Sequence, residues 1–440
     1  MKTEGIALTF GINVIGYVSS NVSLGITARH FIRLFLDRGI PVSVHDLDYE
    51  RAPHAKVHEF SSLTVPAASE LPYSINLFFV AMWQLPELLL WPPNGLFSPS
   101  RINAGLLWYE PTHLARRYRE ALSCLDVLIT GSDYVRYIYD TQVTSIFTIA
   151  CNHPIYLPAN IRPDRKRFNL PEKGVLFVQS FDPHNDPDRK NPYAAIDAFI
   201  AAFGVSKDDA HLVLKVNNAE VKSSGCDPNA VIEQLKARCG HDPRIHFIAE
   251  SLPYEEVLSL YATCDVFISL HRAEGLGLGM LESMALGKPV IATAWSGNMS
   301  FMKHTNSCLV GYDLVPFSGL GADGPDKLRK HAVWAEPHID EAADWMKRLA
   351  ADASLRKLIG AQAARDAAAY HADATNGDFV EELRELYEQR RFIRRRQVPK
   401  WKNNSSLREA FDSYRQPGWR RMGSRIHQVL ERHLMWRLRG

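Results

Sequence analysis

Between positions 269 and 293 the chain concentrates residues able to do chemistry. Glu274 and Glu282 stand eight residues apart, and Gly275, Gly277 and Gly279 alternate directly after the first of them. An apolar run ends at Leu270, and a helical pattern opens behind the glycines. Glycines at such a junction let backbone N–H groups approach a ligand, and the positive end of the helix favours an anion such as a diphosphate. Carboxylates beside it accept hydrogen bonds from vicinal hydroxyls, as on a ribose or a hexose. The plainer reading is a glycine-rich strand-to-helix turn with two solvated glutamates. Ser296, Gly297 and Asn298 follow the next apolar run and offer further donors to sugar or phosphate, or form an ordinary turn.

Together with Met284-Ala-Leu-Gly-Lys-Pro-Val-Ile-Ala, the Glu274–Glu282 segment resembles the donor-binding signature of family 4 glycosyltransferases. The resemblance runs from about residue 10 to about residue 385. It implies a retaining enzyme with the GT-B fold, in which two Rossmann-like domains face each other across a cleft. Glu282 would then bind the ribose hydroxyls of a nucleotide diphosphate sugar, Glu274 would contact the transferred sugar, and the glycine-loop amides would face the phosphates. The nucleotide sugar is a co-substrate, and no cofactor is implied. The acceptor is a hydroxyl of a glycan, a lipid-linked glycan or a protein.

The same resemblance gives meaning to Arg189 and Lys190, which precede a helix opening at Pro192. Two cations there would neutralise a leaving diphosphate without a metal ion. Many family members carry Gly-Arg directly after this domain's first strand, where this chain has Ser180-Phe181, so Arg189 is expected to take over that role. Asp182, His184, Asp186 and Asp188 alternate in the same loop, but a calcium loop needs glycine and glutamate where Pro187 and Tyr193 stand. They read as solvated turn residues, and no metal site is assigned. Gly16, with Gly25 opening the next helix, resembles the family's N-terminal glycine loop. Leu107-Trp-Tyr-Glu-Pro resembles a Trp–Glu pair of some members and makes Glu110 the acceptor-side candidate, positioning or deprotonating the incoming hydroxyl. A strand-end glutamate in solvent is the rival. Lys215 is either a cleft group or a lysine snorkelling at the sheet edge. Asn152-His153-Pro154 reads as hinge structure, and Ser132 as a helix cap.

Two parallel sheets are needed to position these groups. Short apolar runs at 12–17, 41–45, 75–80, 102–108 and 127–130 alternate with helical patterns, and Ala28, Ile32 and Phe35 share one helical face. A second set runs through 175–180, 211–216, 245–248, 266–270 and 289–293. Such alternation predicts an α/β fold with helices on both sheet faces. The division expected is an acceptor domain over 1–165, a donor domain over 166–388 and a basic tail over 389–440. A dinucleotide-binding reading of the first domain, with Asp46 or Asp48 as ribose ligand and a redox function, lacks the GxGxxG spacing. A silent nucleotide-sugar-binding scaffold is the other alternative.

The 440 residues carry 51 basic and 49 acidic side chains. That near balance hides a split: residues 390–440 hold 15 basic and 3 acidic groups, which leaves 36 and 46 for the rest. With Trp401, Trp419 and Trp436 among them, these cations suit peripheral contact with an anionic membrane surface, or a subunit-binding tail. No nucleic-acid module accompanies them, and no nucleic acid is expected as partner. Six scattered cysteines without a CxxC pair, and no secretory signal or span, make the chain cytoplasmic in expectation, at the inner face of a membrane if the tail docks there.

Overall fold

The computed structural model describes residues 8–47, 57–90, 96–97, 100–143, 145–204, 209–221, 226–324 and 326–389. The basic tail and Asp48 lie outside them. The first sheet has six parallel strands, β1 (Thr9–Gly16), β2 (Val42–Asp46), β3 (Tyr73–Ala81), β4 (Ile102–Trp108), β5 (Val127–Thr130) and β6 (Phe147–Ala150), in the order β2-β1-β3-β4-β5-β6. Both of its faces are covered. Phe78 and Val80 enter one core and Leu77 and Phe79 the other, so a period of two yields a continuous apolar run. Helices α1 (Ser23–Asp37), α2 (Leu85–Leu90), α3 (Arg116–Leu122) and α4 (Asp133–Gln142) connect the strands. The buried face of α1 includes Ala28, Phe31, Ile32 and Phe35; a side chain such as Phe31, fully buried, contributes about 1.5–3 kcal/mol.

Polar residues also occupy this core. Asn13, Asn76 and Asn103 lie in register on three neighbouring strands. Asn13 Nδ2 donates to Asn76 Oδ1 (2.9 Å), and Asn76 Nδ2 donates to Asn103 Oδ1 (3.1 Å) and Leu96 O (2.8 Å).

The second sheet contains β7 (Val175–Phe181), β8 (Ala210–Val216), β9 (Ile245–Ile248), β10 (Val266–Ser269), β11 (Val290–Thr293) and β12 (Cys308–Val310), ordered β12-β11-β10-β7-β8-β9. Its helices are α5 (Pro187–Lys190), α6 (Pro192–Phe203), α7 (Pro228–Arg238), α8 (Tyr254–Thr263) and α9 (Leu278–Ala285). Strand order reverses between β7 and β10, and ligands of open α/β sheets bind at the carboxyl ends of strands at such a point. Beyond β12 a hairpin of β13 (Tyr312–Pro316) and β14 (Val333–Pro337) carries α10 (Leu328–His331) in its loop. Phe317, Leu328 and Trp334 give it a small core of its own, shared with Ala273.

Three helices close the described residues: α11 (Ile339–Ala351), α12 (Ala353–Asn376) and α13 (Phe379–Glu388). The last departs from the division expected from sequence. Phe379, Val380 and Leu383 enter the core of the first sheet, Tyr387 Oη donates to Leu8 O (3.0 Å), and Arg384 lies over the Phe10 ring. His153, read from sequence as hinge structure, packs between α1 and α12. Its ring is fully buried and contacts Thr27 Oγ1 (3.1 Å), while its N–H donates to Tyr370 Oη on α12 (3.2 Å). All six cysteines are free thiols, five of them buried. Among the described residues no helix is long and apolar enough to cross a membrane.

Candidate active site

The loop from β10 to α9 leaves the sheet at the reversal point. Gly277, the N-cap of α9, sits at φ +94°, a left-handed conformation that favours glycine. It supplies no side-chain cap. The N–H groups of Leu278 and Gly279, at the first two helical positions, have no partner within the helix. Those of Met280 and Leu281 return to Gly277 O (3.0 and 3.2 Å). A helix start open in this way suits an anion.

Glu274 is 7% exposed and faces two cations. Lys190 Nζ hydrogen-bonds Oε1, and Arg189 Nη1 lies 3.5 Å from Oε2. Burial pushes this carboxyl up, but Lys190, Arg189 and His271 outweigh it and hold it down at about 2. Both cations are delivered by α5, a helix of four residues whose flanking caps, Asp186 and Asn191, take positive φ (60° and 53°). Asp and Asn tolerate that region better than other residues with a Cβ. Asp182 and Asp186 are helix caps, and Asp182 also accepts from Asn218 Nδ2 (2.6 Å). They are working parts of the loop rather than solvated turn residues. Among the described residues no group of three or more His, Cys, Asp or Glu is placed to hold a metal ion.

The surroundings of Arg189 were the least legible in the sequence. The sequence places it beside Lys190 on a leaving diphosphate. Its guanidinium instead donates to Ala273 O (2.9 Å) and Asn185 O (3.1 Å), and meets Glu274 on one side and Glu110 Oε1 (3.6 Å) on the other. Burial works against its charge, but Glu110, Glu274 and Asp186 hold it above its ordinary value. Glu110 belongs to the first domain, and its side chain is 29% exposed. The acceptor-side candidate and the donor-side carboxylate thus share one arginine.

Glu282 lies on the inner side of α9, 3% exposed, and accepts from Tyr254 Oη (2.7 Å). Burial pushes its carboxyl up to about 8, against the opposing pull of that bond. Ser296 and Gly297, expected to donate to the ligand, are engaged here by the backbone of Glu274. Ser296 Oγ accepts from Glu274 N (2.8 Å), and Gly297 N donates to Glu274 O (2.9 Å), so both clamp the backbone of Glu274. A Cβ at Gly297 would overlap the carbonyl of Gly275, which explains glycine there. Asn298 bonds Thr293 O (3.0 Å) and the His271 ring (3.1 Å). Lys215 is neither a snorkelling lysine nor an open cleft group. It is fully buried, its Nζ donates to Val216 O (3.0 Å) and Glu250 O (2.9 Å), and burial pushes it down to about 8.

Gly16 works within its own sheet. Its O accepts from Leu47 N (2.9 Å), and a side chain there would strike Phe79 O. The loop it opens reaches the second domain through Asn21, whose Nδ2 donates to Leu252 O (3.0 Å).

Sequence reasoning missed His271, Tyr254, Trp108 and the second role of Ser132. His271 is fully buried beneath the loop, contacting Trp295 O and Asn298 Oδ1 (both 3.1 Å). Its place two residues past β10 was the available signal. Trp108 packs between Gly131 and Gly275, in contact with the cores of both domains. Ser132 caps α4 and also donates to Gly275 O (2.6 Å) across the interface.

Two sheets of this topology, facing at their carboxyl edges, define the GT-B class. Solved structures of similar fold include a sucrose-phosphate synthase of Thermosynechococcus elongatus (TM-score 0.61, 14% identity, covering 87% of this chain and all of that one). The Anabaena protein HepE, in complex with UDP and glucose, is similar over 86% of this chain and all of its own (TM-score 0.58, 15% identity). Residues 173–316 match the family model described as Glycosyl transferases group 1. The chain therefore carries a group 1 glycosyltransferase domain. Curated relatives agree: a D-inositol 3-phosphate glycosyltransferase of Salinispora arenicola is 28% identical over 49% of this chain and 42% of its own. The O-antigen biosynthesis glycosyltransferase WclY of Escherichia coli is 33% identical over 29% of this chain and 31% of its own. The chain spans less than half the length of these relatives.

Proposed function

We propose that the chain transfers a glycosyl group from a nucleotide diphosphate sugar to a hydroxyl of a glycan or lipid-linked glycan, with retention at the anomeric carbon and without a metal ion. The observation that carries this reading is the pairing of Lys190 with Glu274 beside the uncapped start of α9, inside the matched domain. When donor enters, Lys190 exchanges Glu274 for the diphosphate, and the amides of Leu278 and Gly279 share the departing charge. Glu274, freed from Lys190, accepts from a hydroxyl of the sugar. Glu282 accepts from the ribose diol. Glu110 orients the acceptor hydroxyl. Closed domains exclude water, so that hydrolysis does not compete with transfer. The names of the curated relatives support a polyhydroxylated acceptor, and the cations of residues 390–440 support work at the inner face of an anionic membrane.

A panel of UDP-glucose, UDP-N-acetylglucosamine and GDP-mannose tests the reading. One of them should raise the melting temperature and, with an extract of glycan acceptors supplied, release nucleoside diphosphate in EDTA. Lys190→Ala should lower that release by about a hundredfold. Release that stops in EDTA and returns with magnesium would refute the metal-free step, and an inverted anomer in the product would refute retention.

A further inference from the structure

Arg189 sits where the two domains exchange charge. It leaves α5 of the second domain, and its guanidinium is 10% exposed. Two backbone carbonyls, Ala273 O and Asn185 O, fix the plane of the group. The same two nitrogens, Nη1 and Nη2, also face a carboxylate of each domain, Glu274 Oε2 at 3.5 Å and Glu110 Oε1 at 3.6 Å. A planar fork held in this way is suited to two carboxylates at once, and a lysine is not. Glu110 is itself steadied from its own domain, because Tyr134 Oη donates to its backbone O (2.6 Å). Lys190 reaches Glu274 alone among the two.

We infer that Arg189 is a positioning residue that aligns the acceptor-side Glu110 with the donor-side Glu274, and does so only while the domains are closed. The inference rests on the proposed transfer reaction and assigns Arg189 a part in it different from that of Lys190. Opening the cleft separates Glu110 from Arg189, because they stand on different domains, so the acceptor group is in place only once the donor side is enclosed. When Lys190 turns to the diphosphate, Arg189 remains as the cation beside both carboxylates, and it continues to hold Glu274 low. Two negative groups with one cation then face the sugar, which favours positive charge developing at its anomeric carbon. The other groups near the trio are Asp186 beside Arg189, His271 beside Glu274, and Tyr134 and Tyr139 beside Glu110.

Four proteins test this: wild type, Arg189→Met, Glu110→Gln and the double variant, with Arg189→Lys in reserve should Arg189→Met fail to fold. Without ligand, thermal unfolding is followed from about pH 7 to about pH 3. Glu274 is held low in the folded protein, so its stabilisation is full above the unfolded value and fades as pH falls. Arg189→Met should move that loss to higher pH, and adding Glu110→Gln should move it back. With the donor that the wild type hydrolyses or transfers from the panel above, Glu110→Gln and Arg189→Lys should lower kcat by about tenfold or more, with donor affinity by calorimetry held within about twofold. The acid limb of kcat should rise in Arg189→Met and return in the double variant. An unshifted acid limb in folded Arg189→Met would overturn the inference. So would a tenfold loss of donor affinity with kcat kept, which would put Arg189 on the diphosphate. A wild type that releases nucleotide from none of the three donors strikes the transfer reading itself, and the coupling measured without ligand then stands as structure with no catalytic part.

Discussion

Two carboxylates eight residues apart have opposite titration behaviour, and the cause is what each one faces. Glu274 has cations that outweigh its burial and stays ionised, whereas burial pushes Glu282 up to about 8 with only a tyrosine hydroxyl to oppose it. If Glu282 accepts from both hydroxyls of a ribose, it must be ionised in the complex. Binding then releases a proton, and affinity for UDP or GDP should strengthen as pH rises from about 6 to about 8. Glu282→Gln should weaken binding and flatten that dependence; a wild type with pH-independent affinity would sink the ribose assignment. Much of this site was legible in the sequence, because Glu274, Glu282 and the glycines are close along the chain and belong to one strand-to-helix turn. What was not legible is which donors remain available. Arg189, Ser296 and Gly297 are close to the site, yet their N–H and O–H groups are engaged by carbonyls and carboxylates that only the folded loop brings to them. Residue type alone does not report that engagement.

Among the elements, the strands were the easiest to read, because a sheet buried on both faces writes itself as unbroken apolar runs. The exceptions are polar residues inside those runs. Asn13, Asn76 and Asn103 look like interruptions in sequence, but in register they satisfy one another across three strands. Asn76→Ala removes the shared partner: Asn103 Oδ1 loses the donor that Asn76 supplies, and Asn13 keeps only its bonds to the backbone of Tyr73. We expect a loss of about 1–3 kcal/mol in unfolding free energy by denaturant titration. A loss near zero would mean that the row contributes no net stability. The hairpin of β13 and β14 was illegible for a different reason, since its strands are short and half exposed. It nevertheless spans the interface. Val333 N donates to Thr112 Oγ1 (2.9 Å), Arg117 pairs with Asp326 (2.6 Å), and Leu320 N donates to Asp186 Oδ2 (2.8 Å). The loop that presents Arg189 and Lys190 is thereby tied to the loop that follows Glu110.

On the scale of the whole molecule, buried groups join the two domains. Trp108 fills space that Gly131 and Gly275 leave open on opposite sides of the interface, and Ser132 bonds Gly275 O beside it. Trp108→Ala should cost up to about 3 kcal/mol, mostly from the interface. Small-angle scattering should then show a larger radius of gyration in the ligand-free variant; an unchanged radius would confine the tryptophan to packing within its own sheet. The seat of Trp108 could not be read from sequence, because Gly275 is conspicuous there for a different reason and Gly131 for none.

The return of α13 to the first sheet also sets an order in time. During synthesis the first domain emerges first, yet Phe379, Val380 and Leu383 of its core are among the last described residues to be made. Every strand of the second sheet has left the ribosome by then, so the second domain can finish folding before the first does. The half of the protein that is translated earliest waits longest with an unfilled apolar face, and it is the half for which a nascent-chain chaperone has the most to cover.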